Sequence, residues 1–176
     1  MKTNIMFYLL IIVCLKTFAQ NYPLPPASPN RLFYIQRSNN AHTVIYDANW
    51  TKDRKLNVKN PVNVYWIRYD EKVHTQNLSI IEKALAFGVE TTPNSNKNDS
   101  FDVRVMAFKK RIIKLKLNEN GQAIATMFIN GLEGQLHKVF VQLEEGNDDF
   151  RPSVKYIEIF GKNLVTGAEI YEKFKP

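Results

Sequence analysis

The sequence predicts a mainly β protein, an antiparallel sandwich or barrel of about eight to nine strands with one short helix. Three observations carry this. Short runs of β-branched and aromatic residues recur between turn residues at steps of about 8–12 residues. Asn120-Gly121 lies between two alternating runs, a strong hairpin signal. Only the stretch 77–87 shifts to a helical period. Connections of hairpin length argue against a parallel βαβ layout.

Ahead of the first strand, Lys2 precedes an unbroken apolar run, Ile5 to Leu15, and Lys16-Thr17-Phe18-Ala19 follows it. Basic start, apolar centre and small residues before a cut after Ala19 make residues 1–19 a secretory signal peptide. The run is about half the ~20 apolar residues a membrane span needs. Cys14 follows Val13 inside it and reads as apolar filler. Losing Lys2, Lys16 and Cys14 lowers the formal charge of the 176-residue chain from +7 to +5 and removes the only thiol. An exported domain without disulfides must be held by its core alone. Pro23, Pro25, Pro26 and Pro29 make residues 20–30 a polyproline-like tether, and residues 31–176 one β domain.

Arg31–Arg37 and His42–Ala48 form the first hairpin, around Ser38-Asn39-Asn40. Val62–Tyr69 follows Asn60-Pro61, where proline can open a strand. In 77–87, Ile80, Ile81, Ala84, Leu85 and Phe87 recur at helical steps; Ser79 and Glu82 form a capping box and Gly88 stops the helix. Thr91 to Ser100 is polar and reads as a loop. Runs 101–108, 111–117, 122–129, 136–143 and 154–160 make a meander, with 169–174 as a last strand.

Arg31-Leu32-Phe33-Tyr34-Ile35-Gln36-Arg37-Ser38-Asn39-Asn40, Thr43-Val44-Ile45-Tyr46 and Asn60-Pro61-Val62 with Val64-Tyr65-Trp66-Ile67-Arg68-Tyr69 are distinctive. With Glu82-Lys83, Ala86-Phe87-Gly88, Tyr156-Ile157-Glu158, Gly161-Lys162 and Gly167, they resemble an uncharacterised bacterial family of exported domains of unknown function. The resemblance covers nearly all of residues 31–176 and implies no activity, so no catalytic residue transfers from it.

The residues themselves exclude several chemistries. The chain has no Gly-x-Ser-x-Gly elbow, no phosphate-cradling glycine loop and no His-Glu-x-x-His. His42, His74 and His137 stand far apart, so neither a metal nor any other cofactor is expected. Adjacent carboxylates at Asp70-Glu71, Glu144-Glu145 and Asp148-Asp149 read as solvated loop charge. The lysines 110, 114 and 116 alternate onto one face and read as the wet side of a half-buried strand. Export and the lack of a recognition motif argue against nucleic acid.

Strand 62–69 is the most informative. Alternation puts Val62, Val64, Trp66 and Arg68 on one face and Asn63, Tyr65, Ile67 and Tyr69 on the other. Neither face is cleanly polar, as in a central strand covered on both sides. Arg68 then either pairs with a structural carboxylate, Glu82 or Asp47, or lines a pocket beside Trp66. The reading adopted is an exported, non-enzymatic domain, periplasmic or extracellular, that binds an anionic or glycan ligand or an envelope protein through Arg37, Tyr46, Trp66 and Arg68. It keeps no stable membrane span after signal removal. One rival is a hydrolase of an envelope polymer with Asp47, Glu82 or Glu158 as acid or base; another is a structural accessory subunit.

Overall fold

The computed structural model describes residues 22–69, 72–94, 100–146 and 153–175. The signal peptide with Cys14, and the pairs Asp70-Glu71 and Asp148-Asp149, lie outside the described residues. Among the described residues eleven strands form one strongly curled, mixed sheet, a half-barrel. In chain order they are β1 (Arg31–Arg37), β2 (Thr43–Ala48), β3 (Val62–Arg68), β4 (His74–Asn77), β5 (Val89–Pro93) and β6 (Phe101–Val105). β7 (Ile113–Leu117), β8 (Ala123–Ile129), β9 (Leu132–Leu143), β10 (Val154–Asn163) and β11 (Glu169–Phe174) complete it.

The strand count exceeds the eight or nine expected because β4 and β5 were not legible. β4 is His-Thr-Gln-Asn, exposed at all four positions, and is held by backbone pairing to β3. β5 occupies part of the stretch 91–100 read as a loop. Both are edge strands, which carry little hydrophobic patterning. The all-antiparallel expectation also fails at one pair: β1 and β9 run parallel, Tyr34 beside Lys138 through Arg37 beside Val141. A parallel pair needs a long connection, and here it is the chain from residue 38 to residue 131.

β9 organises the sheet. β10 lies along one of its edges from Gly134 to Leu143. The opposite edge is shared, with β8 on Leu132–Gln135 and β1 on Lys138–Val141. The sheet therefore forks at β9 into an N-terminal wing, β1 to β4, and a C-terminal wing, β8 to β5. One core fills the space between them, with Phe33, Tyr46 and Trp66 from one wing and Phe101, Leu115 and Met127 from the other.

Turns follow local chemistry. Asn130 and Gly131 have φ of 50° and 79° between the paired Ile129 and Leu132, a two-residue turn of the type that suits strand twist. The Asn120-Gly121 hairpin uses a longer loop, in which the Asn118 carboxamide oxygen accepts from the N–H of Asn120 and Gln122. Helix α1 (Ile80–Glu82) runs into a π-helical turn, Lys83–Phe87, and carries the expected capping box. Of its apolar residues only Phe87 is buried; Ile80, Ile81 and Leu85 face solvent. The proline-rich residues read as a tether rest on the sheet from Tyr22 onward: Gln36 Nε2 donates to the Pro23 carbonyl at 2.8 Å, and the Tyr22 ring meets Phe140 at 5.1 Å.

Candidate functional site

Arg37 ends β1, and Trp66 and Arg68 share the core-facing side of β3, two residues apart. The Trp66 indole is buried, with 2% exposure, and stands edge-on to Phe87 at 5.1 Å. Two guanidinium groups approach this ring, Arg37 at 5.3 Å and Arg68 at 5.4 Å from its centre. Arg37 also lies 5.2 Å from the Phe87 ring, and His42 stands edge-on to Trp66 at 6.4 Å. Flat cations over aromatic faces are attracted by the ring quadrupole.

The helix sets the indole's orientation. Its Nε1–H donates to Glu82 Oε1 at 3.1 Å, while Glu82 Oε2 accepts from the Ser79 backbone N–H at 2.7 Å. Burial opposes the charged form of Glu82. The Ser79 backbone and side chain, the indole N–H and the charge of Arg68 outweigh it and hold the carboxyl below its usual range. Arg68 Nε donates to the neutral Gln76 side chain on β4. Arg68 is thus not sealed against a carboxylate: Glu82 acts on it only through space, and Asp47 belongs to the other side of the wing.

Three of the four residues picked from sequence for binding, Arg37, Trp66 and Arg68, come together. Tyr46 does not join them. It is fully buried, stacks on Phe33 at 4.3 Å and donates its hydroxyl hydrogen to the Phe87 carbonyl at 2.8 Å. Phe87, His42 and Gln76 complete the group and were missed. Phe87 looked like one more helical core residue and His42 like an isolated edge histidine, and β4, which carries Gln76, had no sequence signal.

The three acid–base candidates occupy separate places. Asp47 accepts from Arg31 Nε at 2.7 Å and from the Tyr65 hydroxyl at 2.8 Å. Glu82 caps α1, and Glu158 on β10 accepts from the Tyr171 hydroxyl at 2.8 Å beside Lys173 at 3.4 Å. Among the described residues no group of three His, Cys, Asp or Glu side chains is placed to hold a metal ion, and no helix is long and apolar enough to cross a membrane.

No curated protein and no solved structure matches the chain. A family model does, over residues 33–173. That range holds both wings, β9 and the Arg37–Trp66–Arg68 group, and the chain accordingly belongs to the family described as a domain of unknown function, DUF4833.

Proposed function

We propose that this chain is an exported, non-enzymatic β domain that binds a ligand or partner in the cell envelope, holding an anionic group between Arg37 and Arg68. The observation that carries the reading is the convergence of two guanidinium groups on one buried indole. Guanidinium is planar, permanently charged and suited to carboxylate or phosphate. Packing against Trp66 restrains both side chains before a ligand arrives, which lowers the ordering cost of binding. The hydrolase rival needs two carboxylates at glycosidase separations, whereas Asp47, Glu82 and Glu158 sit on three different elements, β2, α1 and β10, and each is engaged by its own donor.

Trigalacturonate, a carboxylated glycan, is a suitable probe. Calorimetric titration into the mature chain should show binding, and Arg68→Ala should weaken it about tenfold, the loss of one charge-assisted contact. Cooperative melting should persist in that variant. Its loss would show Arg68 to be structural, and unchanged affinity would remove Arg68 from the site. Release of reducing ends from envelope polymer would favour the hydrolase instead. Cell fractionation tests export, since an uncleaved cytoplasmic product sinks that part of the proposal.

A further inference from the structure

The geometry points to a second binding site, for a neutral oligosaccharide, on the outer face of the N-terminal wing between Trp50 and β4. A cleft of about 600 Å³ opens there, inside the ~300–1,000 Å³ range of small-ligand sites. Strand register builds its floor. Asp47 on β2 lies opposite Asn63 on β3, and Tyr65 on β3 opposite Asn77 on β4. Cross-strand partners stand about 5 Å apart and alternate residues of one strand about 6.6 Å. The result is a grid of amide, hydroxyl and carboxylate groups on the scale of a sugar ring. Asn63, Thr75 and Asn77 are exposed, so their polar groups are open to a ligand.

Charge decides the ligand class. Among the described residues Asp47 is the one ionisable acid or base lining the cleft besides the Tyr65 phenol, and Arg31 neutralises it from 2.7 Å. The other polar side chains of the lining are amides, a hydroxyl and an indole. Among the described residues, an ion entering this cleft would meet no charge but that neutralised pair. A neutral ligand rich in hydroxyls would meet donors and acceptors at every step, with the Tyr65 and Trp50 rings as apolar faces for its C–H surface.

Trp50 is held in place for that role. Its indole N–H donates to Asn30 Oδ1 at 3.1 Å, and its backbone bridges to Leu56. Asn30 and Trp50 also line a neighbouring cleft of about 470 Å³, which Arg54 borders and which extends to Gly121 in the β7–β8 turn. A ligand of several rings can therefore pass Trp50 from one cleft to the next, which favours an oligosaccharide over a monosaccharide. The site lies on the opposite side of the wing from the Arg37–Arg68 group, and Gln76 on β4 borders both.

Cellotetraose, maltotetraose, xylotetraose and the β-1,4-linked N-acetylglucosamine tetramer are the probes, titrated into the mature chain by calorimetry. At least one should bind. Asn77→Ala, on an exposed edge strand, should weaken that binding roughly fivefold, about one hydrogen bond. Trp50→Ala should cost tenfold or more, and Trp50→Phe, which keeps a ring and the fold, should cost less. Arg37→Ala should leave the affinity unchanged, so this site can fail without the anion site failing, and the reverse. Binding of none of the four tetrasaccharides overturns the proposal. So does binding indifferent to both Asn77→Ala and Trp50→Ala, or binding lost in Arg37→Ala. Capture of adenosine in place of every sugar would assign the cleft to a nucleobase and overturn it as well.

Discussion

In the C-terminal wing, β7 alternates. Ile113 and Leu115 are fully buried while Lys114 faces water and Lys116 is half-buried, reaching Glu133 at 3.3 Å. In the N-terminal wing, β2 is buried at all six positions. Its inward residues Val44 and Tyr46 join the shared core, and its outward residues Thr43, Ile45 and Asp47 lie beneath a second, thinner layer. That layer comes from flanking tyrosines, since Tyr34 and Tyr65 are the cross-strand neighbours of Ile45, and from residues 22–30 laid across Gln36. A strand with a lysine face is finished once its core side is covered. A wing faced with tyrosines and amides presents groups that can grip something, and the cleft between Trp50 and β4 lies on that face, while the Arg37–Arg68 group lies on the core-facing side of the same wing.

The comparison breaks or sharpens with substitutions on the outer faces. Ile45→Ala should have the largest effect, destabilising the domain by about 2–5 kcal/mol through a cavity in a layer the alternation of β7 would leave wet. Chemical denaturation measures it, and a cost below ~1 kcal/mol would mean that the outer layer is not packed.

Arg111→Ala comes next. Arg111 forks onto Glu172 of β11, donates to the Phe128 carbonyl at 3.3 Å and covers the Phe174 ring at 4.6 Å, clamping the C-terminal wing to the β10–β11 hairpin. Its loss should cost roughly 1–3 kcal/mol. The pair also has a pH signature. The hydrogen bonds from Arg111 outweigh burial and, with the Asn130 N–H, hold the Glu172 carboxyl below its ordinary 4.5. A lowered folded-state pKa means the stabilisation is complete above the unfolded value and drains as pH falls through the folded one. Stability measured from pH 6 down to pH 2 should therefore fall less steeply in Arg111→Ala than in the wild type; parallel curves would contradict the linkage.

Lys114→Ala, at the outward position of β7, should be the smallest change, within about 0.5 kcal/mol. A larger loss would give β7 a packed outer face too and erase its contrast with β2.

Much of the strand framework is legible in the residues. β1 and β11 match their sequence spans end to end, and β2 and β3 differ from theirs by one residue, because Pro, Asn and Gly bound each run. The Ser79–Glu82 box was readable for the same reason: its chemistry lies within four residues. Asn130-Gly131 carries the same signal as Asn120-Gly121 and makes the tighter turn, yet the expected strand began only at Leu136. Tyr46 was misplaced because alternation says which residues share a face without saying how deep that face lies. Trp50 and Tyr65 were passed over because their relevance depends on β4, whose four polar residues show no pattern.

The amino-acid order by itself determined, to within a residue, where β1, β2, β3 and β11 start and stop, where the helix is capped, and that Trp66 and Arg68 point the same way. These follow from steric preferences and a two-residue period acting over a few neighbours. Only the tertiary structure decided that β1 would lie parallel to β9, that the sheet would fork there, and that Arg37 would reach the Trp66 ring. The first two outcomes depend on pairing segments about a hundred residues apart, and the third on two successive antiparallel registers that carry β1 across β2 to β3, with both sides of β2 buried.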